Sequence, residues 1–229
     1  MVPVTESPWQ RAVAPEVLAR LHPRLRTYFG PIPAGHVGRG EGVFTVVGTP
    51  RRWLWPVLAV LARDGVLFPV WEHDVPFTVA NRPVRVGRGD PGTGQEAQVA
   101  VRAHRTFRFR SGDRTMVDAI AAGPHGLVDH LGRRGRVSAD LRAEVDAHGP
   151  DAGVLRLVST RVSFRALGRE WSLPALLAPR VTLTERFDDE ADRQRVSLVL
   201  AAPILGTLYR YEGAFRYAIA PGQDGENDD

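Results

Sequence analysis

The chain of 229 residues contains no cysteine. That absence excludes a disulfide framework, a thiolate nucleophile and any zinc site built on sulfur, so stability cannot depend on an oxidising compartment. Lysine is absent too, and the thirty basic residues are all arginine. A guanidinium does not titrate near neutrality, so the sequence pI of about 10.2 overstates a net charge of only +4. With Asn81 and Asn227 as the only asparagines, this reads as the bias of a GC-rich coding sequence, and no nucleic-acid partner is expected. Long apolar runs are also missing. The most apolar window, 53–62, is ended by Arg63 and Asp64 and reaches about half of the ~20 residues that span a bilayer. No transmembrane segment is expected, and a core-facing helix is the commoner fate of such a window than an interfacial one. The first ten residues lack the basic stretch and apolar run of a secretory signal, which points to the cytoplasm.

What is present describes a folded domain. Hydrophobic residues make up 43% of the chain and charged residues 24%, and no stretch of linker composition divides the interior. The expected organisation is a disordered N-terminus over 1–8, one β-rich domain over 9–220 and an acidic, disordered tail over 221–229. Pro15 opens a helix carrying Val17, Leu18 and Leu21 on one face; Pro23 restarts it with Leu25, Tyr28 and Phe29, and Gly30 and Pro31 close it. A second helix is predicted over 51–63, with Pro56 setting its start or kinking it.

Elsewhere the apolar period is two. Val137, Ala139, Leu141, Ala143 and Val145 alternate with polar neighbours, as do Val99, Val101, Phe107 and Phe109 against Arg102, His104, Arg108 and Arg110. Further strands are predicted over 36–48, 71–79, 114–121, 154–165, 180–187, 195–202 and 208–219. Short links imply antiparallel pairing, and about nine strands exceed what a flat sheet with one wet face holds. The fold class is therefore mainly β with some helix: a large antiparallel sheet curled toward a barrel or half-barrel, with the N-terminal helices packed on it.

No catalytic motif stands out. Gly35, Gly38, Gly40 and Gly42 run into a strand, where a phosphate loop would run into a helix; they suit an aromatic ring lying over bare backbone. His73 beside Asp74 resembles an oriented base, but strand neighbours point to opposite faces, so His73 belongs with Trp71 on a surface. The histidines lack metal-ligand spacing and no serine sits in a nucleophile elbow, so neither a metal nor a cofactor is expected. The last strand carries Tyr209, Tyr211 and Tyr217 on one face, and buried hydroxyls need partners or water.

Four stretches suggest a family. Residues 21–30 (LHPRLRTYFG), 107–112 (FRFRSG), 177–181 (LAPRV) and above all 202–213 (APILGTLYRYEG) resemble the bacterial domain of unknown function DUF4166, over most of Arg20 to Phe215. The resemblance brings no activity, ligand or catalytic residue to carry over. Some relatives look to be joined to NAD-binding reductase or epimerase domains, which implies a protein partner in trans for a chain with no such half of its own.

The reading that follows is an accessory, non-enzymatic module binding a small apolar or amphipathic ligand in the cavity of a curled sheet. Tyr209, Tyr211 and Arg110 are the candidate polar contacts, Arg110 only if its side of the sheet closes inward. The enzyme alternative is acid/base chemistry by His73, Asp74 or Glu185, the last standing on the apolar face with Leu183 and Phe187. A third reading is a protein-interaction module presenting Trp53 to Leu61.

Overall fold

The computed structural model describes residues 6–86, 98–149, 152–166, 169–172 and 178–222. Three short helices come first: α1 (Pro8–Ala12), α2 (Pro15–Ala19) and α3 (Pro23–Phe29), each with proline in its first turn, where the missing N–H costs nothing. β1 (His36–Gly48) leads through a 3-10 turn into α4 (Trp55–Ala62), which has Pro56 in its first turn. Strands β2 (Trp71–Val86), β3 (Gln98–Phe109), β4 (Gly112–Gly123), β5 (Gly126–Leu131) and β6 (Val137–Val145) follow as a meander. The chain ends in β7 (Leu155–Ala166), β8 (Arg169–Ser172), β9 (Arg180–Asp188), β10 (Arg193–Ala202) and β11 (Gly206–Pro221).

All pairings are antiparallel, and the circuit from β1 through β6 continues through β7, β9, β10 and β11 back to β1. The result is a closed barrel of ten strands, with β8 a short flap paired to the last residues of β7. Closure removes the exposed edges that a flat sheet of this size would carry. Two of these strands, β5 and β8, were not foreseen in the sequence.

Each end of the barrel is plugged. At one end α1 and α3 lay Trp9, Leu25 and Phe29 against Leu127, Leu141, Leu155 and Leu157. The Ser7 Oγ donates to the Phe29 carbonyl at 2.9 Å, and His22 stacks on Phe187 with centroids 4.9 Å apart. At the other end the connection over 49–70 folds Leu58, Phe68 and Val70 onto a core containing Phe44, Phe77, Phe107 and Phe109. Its backbone is tied down where the Val117 N–H donates to the Gly65 carbonyl at 2.9 Å.

The N-terminal boundary needs correcting. Ser7 is buried and caps α1, its side chain accepting from the Gln10 N–H while the Gln10 side chain accepts from the Ser7 N–H. Order thus begins before residue 9, because this capping box and the buried Trp9 hold the segment; residues 1–5 lie outside the described residues. At the other terminus Pro221 still pairs with His36, and only 223–229 of the expected tail lie outside the described residues. The glycines of β1 do what was expected: Tyr217 lies where a Gly38 side chain would be, and Phe215 crowds Gly40 and Gly42. Among the described residues no helix is long and apolar enough to cross a membrane.

Candidate functional site: a polar cluster inside the barrel

Period-two alternation decides which side chains enter the barrel. On β3 the face that carries Val101, Ala103, Phe107 and Phe109 inward also carries Arg105; on β4 Asp118 shares a face with Met116 and Ile120. Asp129 stands between Leu127 and Leu131 on β5, directly across from Ile120 and from Ala139. On β9 Glu185 follows Val181 and Leu183 inward. Four ionisable groups are thereby delivered to an otherwise apolar interior.

They surround a cavity of about 160 Å³. Its walls are mostly apolar, with Leu61 and Leu67 from the α4 connection, Leu141, Leu183 and Leu198 from the strands, and Trp9 and Phe29 from the N-terminal helices. Arg105, Asp118, Asp129, Glu185, Asn81 and Tyr211 also line it. Arg105 Nη1 donates to Asp118 Oδ1 in a short, direct ion pair, and Gln194 Nε2 donates to Glu185 Oε2. Four buried side-chain oxygens have no hydrogen-bond partner among the described residues: Asn81 Oδ1 and Asp129 Oδ1, on residues that line the cavity, and the Tyr209 and Tyr217 hydroxyls, on residues that do not. Native interiors rarely leave such atoms unmatched.

Burial sets the protonation of this cluster. It pushes Glu185 from 4.5 to about 7, against the pull of the Gln194 hydrogen bond and the Arg105 charge. It pushes Asp129 well above the ordinary carboxylate value, and the neighbouring Asp118 charge pushes it further. Asp118 is also raised by burial, with contact to Arg105 opposing the rise. Burial works against the Arg105 cation, but the facing Asp118 and tyrosines outweigh it and hold the guanidinium charged. Tyr28 and Tyr211 are raised by burial and stay neutral phenols, and Tyr217 is pushed up to about 12. The interior thus holds one matched ion pair, Arg105 with Asp118, and two carboxyls that retain protons where free ones would not.

A pH dependence follows with a definite sign. Between about pH 4.5 and 7 the native state keeps a proton on Glu185 that the unfolded chain has lost, so stability falls as pH rises through that window and levels off above it. The shift is worth on the order of 3 kcal/mol. Glu185→Gln is therefore expected to be more stable than the parent at about pH 8, with a flatter stability profile, measured by urea denaturation at successive pH values. Asp129 and Asp118 act in the same direction and remain in the variant, so the difference between the two proteins isolates Glu185.

The residues singled out in the sequence are distributed unevenly. Tyr211 lines the cavity, whereas Tyr209 is buried beside it in the aromatic core and does not reach the cavity wall. Arg110 follows the last residue of β3 and is exposed, because the sheet closes with the Phe107 and Phe109 side inward; its backbone N–H donates to Glu72 Oε2 at 3.1 Å. His73 and Asp74 are exposed, His73 against the edge of Trp71 as its position predicts. Glu185 alone of the acid/base candidates is inside. Arg105, Asp118, Asp129 and Asn81 were missed, although the alternation that marked Glu185 marks Arg105 and Asp118 equally. Among the described residues no group of three or more His, Cys, Asp or Glu side chains is placed to hold a metal ion.

Comparison with known proteins bears on the same barrel. The sequence model of the domain of unknown function DUF4166 matches residues 21–215. The chain belongs to this family. The matched stretch runs from α3's approach into β11, and so contains β1 to β10 whole, β11 as far as Phe215, and every charged residue of the cluster. A distant relative is the uncharacterized protein YndH of Bacillus subtilis (strain 168), 23% identical over 203 residues, covering 86% of this chain and 90% of that protein. No solved structure matches. The family model begins at residue 21, so α1, which places Trp9 in the cavity wall, lies outside the matched stretch.

Proposed function

We propose that this DUF4166 barrel binds a small, largely apolar molecule with one hydrogen-bonding head in the cavity between its two plugs. The observation that carries this reading is the pair of sealed, unmatched oxygens, Asn81 Oδ1 and Asp129 Oδ1, on the wall of an otherwise apolar cavity. A ligand head supplies what those atoms lack, and the apolar walls supply the affinity. The protonated carboxyls of Asp129 and Glu185 donate as well as accept, so the head is a neutral hydroxyl, carbonyl or amide; a carboxylate or phosphate would meet acids. A volume of about 160 Å³ admits roughly one ring or a short branched chain, close in size to engineered cavities that take benzene. Tyr211 is the contact retained from the sequence reading, Tyr209 acts behind it as packing, and Arg110 stands outside at the rim.

Native mass spectrometry of the purified protein against its denatured mass tests this directly. The expected result is a reproducible extra mass that is released on denaturation. Ala139→Leu places a larger side chain directly opposite Asp129, and that variant is expected to fold and to lose the extra mass. Parent and variant both flying at the bare mass would remove the reading.

A second reading is favoured by one observation. A cavity-lining carboxyl titrating at about 7 is suited to exchange a proton with a bound molecule, and Glu185 is that group. In that case the ligand is a substrate, Glu185→Gln abolishes its turnover, and the released molecule differs between parent and variant. Unaltered ligand chemistry in the variant would leave binding alone.

A further inference from the structure

The two ends of the barrel differ. Of the seven large apolar side chains that the described residues leave exposed, all but Val43 stand at the α4 end: Trp53, Val57, Val60, Trp171, Ile204 and Leu205. Trp53, Val57 and Val60 follow one another at steps of four and three residues, so they form one outward stripe, 56%, 59% and 61% exposed. Ile204 and Leu205 occupy the turn between β10 and β11, which reaches the same place: a side chain at Gly206 would stand 3.7 Å from the Arg51 guanidinium. Trp171 sits across from Phe164, a cavity-lining residue, on the flap at this rim. Scattered apolar side chains on a surface are ordinary; their collection at one end is not.

Charge separates along the same axis. Exposed arginines crowd the α4 end, among them Arg52, Arg63, Arg133, Arg134, Arg180 and Arg210, while the carboxylates of its connections are Asp64, Glu72, Asp74 and Asp113. At the opposite end the helices carry exposed Arg11, Arg20, Arg24 and Arg26, but the turn between β9 and β10 sets Asp188, Asp189, Glu190 and Asp192 beside them, and Arg24 pairs with Asp192 at 3.5 Å. Two of the rim arginines lie on tryptophan faces, Arg52 over Trp55 at 5.3 Å and Arg210 over Trp71 at 5.4 Å. That places guanidinium groups level with indole rings, the composition found where proteins meet a headgroup layer. The side wall is wet, since its outward positions include Arg102, Arg108, Arg186 and Arg195. The surface therefore suits a protein that lies on a membrane by one end.

We infer that the α4 end is a docking surface for an anionic lipid bilayer, with Trp53, Val57 and Val60 entering the headgroup layer and the rim arginines meeting lipid phosphate. The inference does not rest on ligand binding. It adds one consequence to that reading: Leu61, Leu67, Phe164, Pro179 and Leu200 line the cavity toward this end, so docking brings the cavity's apolar wall next to the bilayer.

The test is co-sedimentation of the full chain with phosphatidylcholine vesicles made with and without phosphatidylglycerol, at low and high salt. Binding is expected to require phosphatidylglycerol and to weaken with salt. Val57→Glu combined with Val60→Glu leaves buried positions untouched, so circular dichroism and melting stay those of the parent while vesicle binding drops about tenfold or more. Failure of the parent to bind phosphatidylglycerol vesicles at low salt would overturn the inference, as would a folded double variant that binds as well as the parent. A bare native mass alongside vesicle binding would sink the ligand reading and leave this one standing.

Discussion

Arg105→Met is expected to destabilise the protein by about 3–5 kcal/mol near neutral pH, because it leaves Asp118 buried without its counter-charge. Asp118 is 2% exposed and its ion-pair partner is Arg105, while the charge on Asp118 helps to keep the nearby Asp129 protonated. Methionine matches the length of the arginine stem, so the loss reports the charge more than the packing. Removing the cation raises both carboxyls further above their unfolded values. The sign then follows: the added instability is smallest at low pH, where both carboxyls are protonated in either state, and grows as pH rises.

The same argument makes a second variant informative. Arg105→Met combined with Asp118→Leu removes both charges and leaves apolar groups in an apolar wall, and is expected to recover most of the lost stability. Urea denaturation with slope and midpoint fitted separately checks both variants. If the single substitution cost under about 1 kcal/mol, Asp118 would already be neutral in the parent and the cluster would contain no ion pair. If the double variant stayed as unstable as the single one, packing rather than charge would be the role of Arg105. A stable double variant that has lost its bound mass would assign the pair to binding, with its presence in the parent costing stability for the sake of the site.

How the cluster escaped the sequence is instructive in physical terms. Glu185 was visible because a charged residue sat in phase with Leu183 and Phe187. Arg105 is equally in phase with Val101, Phe107 and Phe109, and Asp118 with Met116 and Ile120; the signal was there and was outweighed by the more conspicuous Arg108 and Arg110 on the wet side. Asp129 was harder. Its inward position on a six-residue strand bounded by Gly126 and Gly132 makes β5 read as a polar turn, so strand and residue were lost together. Closure of the barrel was anticipated only as curling, because the pairing that closes it joins residues 36–48 to 206–221 and no local pattern encodes a contact over that separation. Helix positions fared better for α2, α3 and α4, since proline marks the first turn of each locally; α1 opens the same way at Pro8 and was not foreseen.

That closing seam predicts the second large effect. A methyl group on Gly42 would lie 2.1 Å from the Ala214 carbonyl oxygen and 2.6 Å from the Phe215 Cα, both backbone atoms of the paired strand. No rotamer change relieves such a contact, so β1 and β11 must move apart along the pairing that closes the barrel. Gly42→Ala is expected to cost about 3 kcal/mol or more. Gly40→Ala is the matched comparison: its methyl would first meet the Val79 Cγ1 at 2.8 Å, the end of a side chain that can turn, with the nearest backbone atom, the Arg216 carbonyl oxygen, at 3.1 Å. It should cost distinctly less. Equal losses from the two substitutions in urea denaturation would mean that glycine is needed there for strand flexibility in general and not for close approach. A larger loss at Gly42, with the bound mass gone as well, would tie closure of the seam to the cavity, because Tyr211 of the wall and Phe215 above it hang from the strand that the methyl displaces.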